Sequence, residues 1–161
     1  MNPRAPAATA RAVIAALRLE PLPHEGGFFR QTWRSETSSA ILFLLTPLDF
    51  SALHRLDREE VWHFHGGAPV EHVQLDPASG QVRTSRLGAD VLAGDEPQVV
   101  VRAGVWQGAR LIRQDANGAD FALLGCTVSP PWDDRGFTLG ERKALAQAFP
   151  GHAELICGLT R

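Results

Sequence analysis

Several protein classes are excluded by what this chain of 161 residues lacks. Two cysteines, Cys126 and Cys157, are too few for a disulfide framework or a four-thiolate zinc site. Sixteen Lys+Arg against eighteen Asp+Glu give a net charge of −2, so no basic excess exists to hold nucleic acid or an anionic membrane surface. Apolar runs such as residues 40–45 are far too short to cross a bilayer. We therefore expect a cytoplasmic protein without a nucleic-acid or membrane partner.

The N-terminus also lacks the pattern of a secretory signal, because Arg11 and Arg18 bracket only a short apolar run. Residues 1–8 are rich in proline and alanine and are expected to form a flexible tail. A mass of 17.5 kDa is that of one ordinary domain, and no repeat or linker divides the chain. The sequence therefore predicts a single domain over residues 9–161.

Short β-type runs separated by turn residues fill the middle of the chain, as expected of an all-β sandwich or barrel. Thr9 has the character of a helix N-cap, and apolar residues follow it at helical spacing to about residue 19. Helical spacing returns over residues 139–149 and 152–159. Strands are predicted over residues 28–34, 40–45, 51–54, 61–65, 70–75, 82–87, 98–101, 105–112 and 121–128.

Polar side chains able to carry chemistry are densest between residues 51 and 67. Here His54, His63 and His65, together with Glu59 or Glu60, supply enough ligands for a divalent metal. Alternation along a strand, however, places His63 and His65 on one face and Glu60 on the other. The residues alone leave two alternatives open, a metal site and a set of hydrogen-bonded or surface histidines.

The chain resembles the cupin superfamily, and more specifically the cupin 5 (DUF985) family of small cupins. Glu60 precedes Gly67 by the interval of the first cupin motif, and Gln107 follows Gly104 where the second motif has a histidine. Ala52 and His54 occupy the positions of the usual His-x-His pair. The segments that carry the closer resemblance are residues 23–30, 41–46, 51–55, 60–65, 98–101, 104–107 and 125–128.

This resemblance implies a double-stranded β-helix, or jelly roll, that forms a homodimer and holds a small-molecule pocket in its barrel. The usual cupin ligand set is reduced to His54 and Glu60, with Gln107 a poor third, so a divalent metal cofactor has an incomplete ligand set. For the dimer we expect the strand at residues 28–34 to join the partner's sheet, because jelly-roll edges are otherwise exposed.

The expected catalytic pair is His54 as general base and Glu60 as the group that orients it, since a histidine titrates near neutral pH without much tuning. We expect His63 and His65 to form hydrogen bonds with the neighbouring sheet or a second subunit, and Cys126 to be an inert buried thiol. Candidate ligand-binding residues are Arg30 as an anion clamp, the aromatic residues Trp62, Phe64 and Trp106, the amide of Gln107, and His24 and Glu25 beside the Gly26-Gly27 turn.

For His24 and Glu25 the alternative is an edge strand exchanged in a dimer, and Trp132 is a candidate lid of the barrel. Three functions follow from the sequence. The first is a cupin that binds a polar, sugar- or nucleotide-like molecule, with an isomerase or epimerase as its catalytic form. The second is a metal-dependent dioxygenase or isomerase, and the third is a non-enzymatic binding or structural module.

Overall fold

The computed structural model describes residues 9–112 and 118–161. The predicted flexible tail at residues 1–8 lies outside the described residues, as do residues 113–117. No described helix is long and apolar enough to span a membrane.

Eleven strands and three short helices make up the described chain. The helices are α1 (Ala10–Leu17), α2 (Arg142–Ala148) and α3 (Ala153–Cys157). The first six strands are β1 (Glu20–Pro21), β2 (Phe28–Arg34), β3 (Ser39–Leu45), β4 (Phe50–Leu56), β5 (Glu59–Gly67) and β6 (Val70–Leu75). The remaining strands are β7 (Val82–Leu87), β8 (Gln98–Val101), β9 (Trp106–Leu111), β10 (Ala122–Ser129) and β11 (Phe137–Leu139).

These strands form two antiparallel sheets that face each other, which confirms the predicted jelly roll. One sheet has the order β1-β2-β3-β10-β5-β8, and we call it the first sheet. The second sheet has the order β11-β4-β9-β6-β7. Strands distant in sequence are neighbours in both sheets, so residues from the whole chain reach the space between them.

Alternating apolar residues of both sheets fill most of that space. Phe43 of β3 and Trp62 of β5 pack edge to face in the first sheet, with ring centroids 5.7 Å apart. The outer face of the second sheet is covered by the C-terminal helices, because Leu53 of β4 packs with Leu145 and Ile156. The inner faces of the two sheets therefore enclose the main core and the cavity described below.

The sequence predicts the N-terminal helix well. Thr9 caps α1 by accepting a hydrogen bond from the Ala12 amide, and the left-handed Arg18 ends the helix. The predicted helix over residues 139–149 is wrong at its start, because Leu139 lies in β11 and pairs with His54. The helix begins only at Arg142, where the carboxylate of Glu141 accepts from two backbone amides of the first turn.

Candidate functional site

A cavity of about 370 Å³ lies between the two sheets. Strands of both sheets contribute to its wall, and the segment before β2 and the segment before β11 complete it. Its polar and charged lining residues are His24, Glu25, Gln31, Ser39, His54, Glu60 and Asp134. Its apolar lining includes Leu22, Pro23, Phe29, Ile41, Phe43, Leu56, Cys126, Val128, Trp132 and Phe137.

His54 projects from β4 into this cavity and is only 3% exposed. Its Nδ1 lies 2.8 Å from the carbonyl oxygen of Ala52. A carbonyl only accepts, so Nδ1 carries a proton, and Nε2 is the ring nitrogen that holds the lone pair when the imidazole acts as a base. The imidazole also stacks on Phe137 at 5.3 Å between centroids. The backbone and one aromatic ring therefore fix both the tautomer and the orientation of His54.

Glu60 projects from β5 into the same cavity and is 6% exposed. Gln107 of β9 donates from Nε2 to Glu60 Oε2 at 2.6 Å, and Trp62 donates from its indole nitrogen to Gln107 Oε1 at 2.7 Å. An indole N–H can only donate, so the amide oxygen of Gln107 faces Trp62 and its NH₂ faces the carboxyl group. This buried chain of hydrogen bonds joins the two sheets.

Burial raises the pKa of Glu60 to about 7, because the charged form loses its hydration. His54 and the hydrogen bond from Gln107 act in the opposite direction and lower the pKa, while the nearby carboxylate of Glu25 raises it further. Glu60 can therefore either accept or donate a proton near neutral pH.

Glu25 completes the polar part of the cavity from the segment before β2. Its Oε1 accepts a hydrogen bond from the hydroxyl of Ser51 at 2.7 Å, and its Oε2 lies 3.9 Å from Nε2 of His54. Arg161 donates to the backbone oxygens of His24 and Glu25 and so ties the C-terminus to this turn. The structure thus brings Glu25, His54 and Glu60 together, although they lie on three separate segments.

The side chains present do not fit the metal that cupins commonly hold. Within residues 9–112 and 118–161, no group of three or more His, Cys, Asp or Glu side chains is arranged to bind a metal ion. The oxygen of Gln107, its one metal-binding atom, already accepts from Trp62. His54 and Glu60 therefore have no third ligand of the expected kind.

The structure corrects the expected wall of the cavity. Phe64 packs against the core cluster instead, and Trp62, 1% exposed, contacts Phe43 and His72 deeper in the core. Trp106 packs with the helices and carries Arg55 over its ring. Since Phe29 and Gln31 line the cavity, alternation along β2 points Arg30 away from it. The predicted ligand-binding residues that do not line the cavity are Arg30, Trp62, Phe64, Trp106 and Gln107.

Aromatic lining residues that the sequence analysis missed are Phe29, Phe43 and Phe137. Alternation along this well-predicted strand offered Phe29 as the alternative to Arg30, because the two residues lie on opposite faces. Phe137 had no such signal, since β11 has only three residues. Cys126 also lines the cavity, and burial raises the pKa of its thiol well above the usual value.

His63 and His65 lie on the opposite face of β5, with rings stacked at 6.5 Å. Gln98 Nε2 lies 2.8 Å from Nδ1 of His63, and Nε2 of the same ring lies 3.2 Å from Oγ1 of Thr127. Both partners are on strands adjacent to β5, so these contacts lie within one sheet and not between the two sheets.

Comparison with known proteins agrees with the geometry. The family model described as cupin superfamily (DUF985) matches residues 11–140. The chain belongs to this family. A protein of Shewanella oneidensis has a similar solved structure, with 35% identity, a TM-score of 0.86, and coverage of 96% of this chain and 99% of that one.

Two further solved structures are similar to this cupin. A hypothetical protein from Leishmania major is 29% identical with a TM-score of 0.88, and the match covers 95% of this chain and 99% of that chain. Oxalate decarboxylase from Bacillus subtilis is 13% identical with a TM-score of 0.59, covering 88% of this chain and 37% of that one, and shows the fold alone. Among curated proteins, the comparison finds no match to the chain.

The raised pKa of Glu60 predicts a specific pH dependence of stability. The folded state holds this proton with a pKa of about 7, above the ordinary 4.5, so the stabilising contribution is full below the lower value and is lost as the pH rises through the higher one. From about pH 5 to about pH 8, the wild-type chain should lose about 1–3 kcal/mol of unfolding free energy relative to Glu60→Gln. Urea denaturation at several pH values measures this difference.

The matched control is Glu59→Gln, which makes the same change at an exposed neighbour. Its unfolding free energy should follow that of the wild-type chain across the pH range. Parallel curves for the wild-type chain and Glu60→Gln would show that the carboxyl group at 60 is ionised as readily in the folded state as in the unfolded one.

Proposed function

We propose that this cupin binds a small polar organic molecule in the cavity and moves a proton on it, as an isomerase or epimerase does. The observation that carries the proposal is the state of His54. Its Nδ1 is bound to the Ala52 carbonyl, and its Nε2 faces the cavity without a hydrogen bond among the described residues. A neutral imidazole held with its lone pair toward a cavity is a general base in position.

Glu60 is the complementary group in this reaction. Nε2 of His54 takes a proton from a carbon next to a carbonyl, and the electron pair moves to the carbonyl oxygen, which receives the proton of Glu60. If the carbon that lost its proton carries a hydroxyl group, His54 can return the proton to the former carbonyl carbon while Glu60 takes the proton of that hydroxyl, which gives isomerisation. In epimerisation the same carbon receives a proton from water on its opposite face, His54 passes its own proton to water, and Glu60 takes back the proton of the enol oxygen. No oxidant or metal is required, and the pKa of Glu60 of about 7 allows it to hold the proton that it donates.

The structure also changes how His54 is held in place. The sequence-based hypothesis gave the orienting role to Glu60, whereas the ring is oriented by Ala52 and Phe137. Glu60 is oriented in turn by Gln107. The two groups project from different sheets, His54 from the second and Glu60 from the first, but the groups that orient both of them belong to the second sheet.

A metal-dependent reaction finds no support in the donor set described above, although the distant structural likeness is to a decarboxylase. A non-enzymatic binding module would bind the same molecule without transferring a proton. Deuterium exchange into the bound compound therefore distinguishes an enzyme from a binding module.

The proposal predicts ligand-dependent stabilisation followed by proton exchange. In a thermal-shift screen of nucleobases and keto sugars, at least one compound should raise Tm, because a ligand that binds only the folded state stabilises it. In D₂O the wild-type chain should then incorporate deuterium next to the carbonyl of that compound, as followed by NMR. His54→Asn should slow this exchange by about 100-fold or more while the Tm shift persists.

His63→Asn is the matched control, because the same substitution there removes a histidine from the opposite face of β5. It should leave the exchange rate unchanged. Binding without exchange would establish a binding module, and no Tm shift from any compound would contradict the proposed pocket.

We further propose that the protein is a homodimer of the cytoplasm, formed through β2. In the first sheet β1 covers only Phe28 and Phe29 of β2, which leaves the edge of Arg30–Arg34 without a strand partner among the described residues. Trp33 on this segment is 59% exposed. Pairing with a second copy would satisfy the edge and cover Trp33.

Light scattering coupled to size-exclusion chromatography measures the mass directly. We expect about twice the 17.5 kDa of one chain for the wild-type protein, and a shift toward the monomer for Thr32→Pro, which removes a backbone donor from the edge. A wild-type monomer at micromolar concentration would contradict the dimer.

A further inference from the structure

The ionisable side chains that line the cavity are mainly acidic. Its described lining residues include three carboxyl groups, those of Glu25, Glu60 and Asp134, and no lysine or arginine. The titratable nitrogen groups in the described lining are the imidazoles of His24 and His54. A ligand that carries a phosphate or carboxylate would therefore meet like charges and no cation to pair with.

Three arginines beside the segments that line the cavity donate to oxygens of the protein. No arginine lines the cavity within the described chain. Arg34 donates to the Trp132 carbonyl, Arg58 to the Asp57 carboxylate, and Arg161 to the Asp49 carboxylate. These contacts hold the three guanidinium groups in place and leave the carboxyl groups of the cavity without an arginine partner among the described residues.

The apolar part of the wall is largely aromatic. Phe29, Phe43, Trp132 and Phe137 all line the cavity, and the rings of Trp132 and Phe137 lie 6.4 Å apart. Aromatic faces attract cations through their quadrupoles, and the attraction grows when the cation is desolvated. Buried carboxylates beside aromatic rings form a surrounding that favours positive charge.

From this arrangement we propose that the cavity selects organic cations, molecules with a flat apolar body and an ammonium or amidinium group. The apolar body packs against the aromatic wall, and the cationic group lies beside Glu25, with Asp134 at the edge of the cavity. The inference rests on the proposed function only in placing the ligand in this cavity. Among the sugar- and nucleotide-like ligands expected from the sequence, this charge preference disfavours those that carry a phosphate, because no lysine or arginine of the described chain lines the cavity.

Three aromatic probes of nearly equal shape test the charge preference: benzamidine, benzamide and benzoate. Titration calorimetry on the full chain at neutral pH should show benzamidine binding at least about 10-fold more tightly than benzamide, with benzoate weaker still. Glu25→Gln should lower the affinity for benzamidine by about 10-fold and leave that for benzamide unchanged. Glu59→Gln, an equal change outside the cavity, should alter neither.

Asp134→Asn serves as a second variant in case Glu25→Gln does not fold, because Asp134 is exposed at the edge of the cavity, and it should lower only the benzamidine affinity. Equal or tighter binding of benzoate would overturn the charge preference and leave the proposed pocket standing. Absence of binding by benzamidine would also overturn it, while the screen of nucleobases and keto sugars would still decide whether the cavity is a pocket at all.

Discussion

Trp62, Gln107 and Glu60 form one continuous chain of buried hydrogen bonds that runs from β5 of the first sheet to Gln107 of the second sheet and back to β5. The indole can only donate, so the direction of every bond in the chain is determined: the amide must receive from Trp62 and give to Glu60. Burying a polar group costs free energy unless the group forms hydrogen bonds, and each member of this chain has a partner within it. The chain thus holds the two sheets in register at the point where core and cavity meet, and it leaves the carboxyl group of Glu60 as its last member, facing the cavity.

The character of the site follows from this position. Glu60 is buried enough for its pKa to reach about 7, yet it lines an open space of about 370 Å³ opposite a histidine whose tautomer is set by its own strand. Behind it the interior stays uncharged, since burial lowers the pKa of His72 to about 3 and its ring packs on Trp62 at 4.9 Å. Gln107, which stands where the second cupin motif has a histidine, thus accepts from Trp62 and donates to the carboxyl group of Glu60.

Much of the fold could be predicted because turns and alternation are local signals. Strands β2, β6, β7 and β8 have the predicted bounds, and strands β3, β4, β5, β9 and β10 differ from prediction by one or two residues at an end. The two-residue strand β1 was not predicted. Strand β11 was not predicted, because three residues are too few for the alternation of a strand to be recognised. For the site, the family resemblance brought His54 and Glu60 together, whereas the bond between Trp62 and Gln107 joins residues 45 apart. That bond depends on the packing of two sheets, which no local pattern encodes.

The hydrogen-bond chain can be observed most directly by NMR of the Gln107 side-chain amide in the intact protein. Buried and bonded to a carboxyl group, its protons should exchange slowly with solvent, and their shifts should titrate with a midpoint near the pKa of about 7 of Glu60. The indole proton of Trp62 should follow the same titration through the shared amide. Rapid exchange of the Gln107 amide, with no midpoint in either signal, would contradict the account.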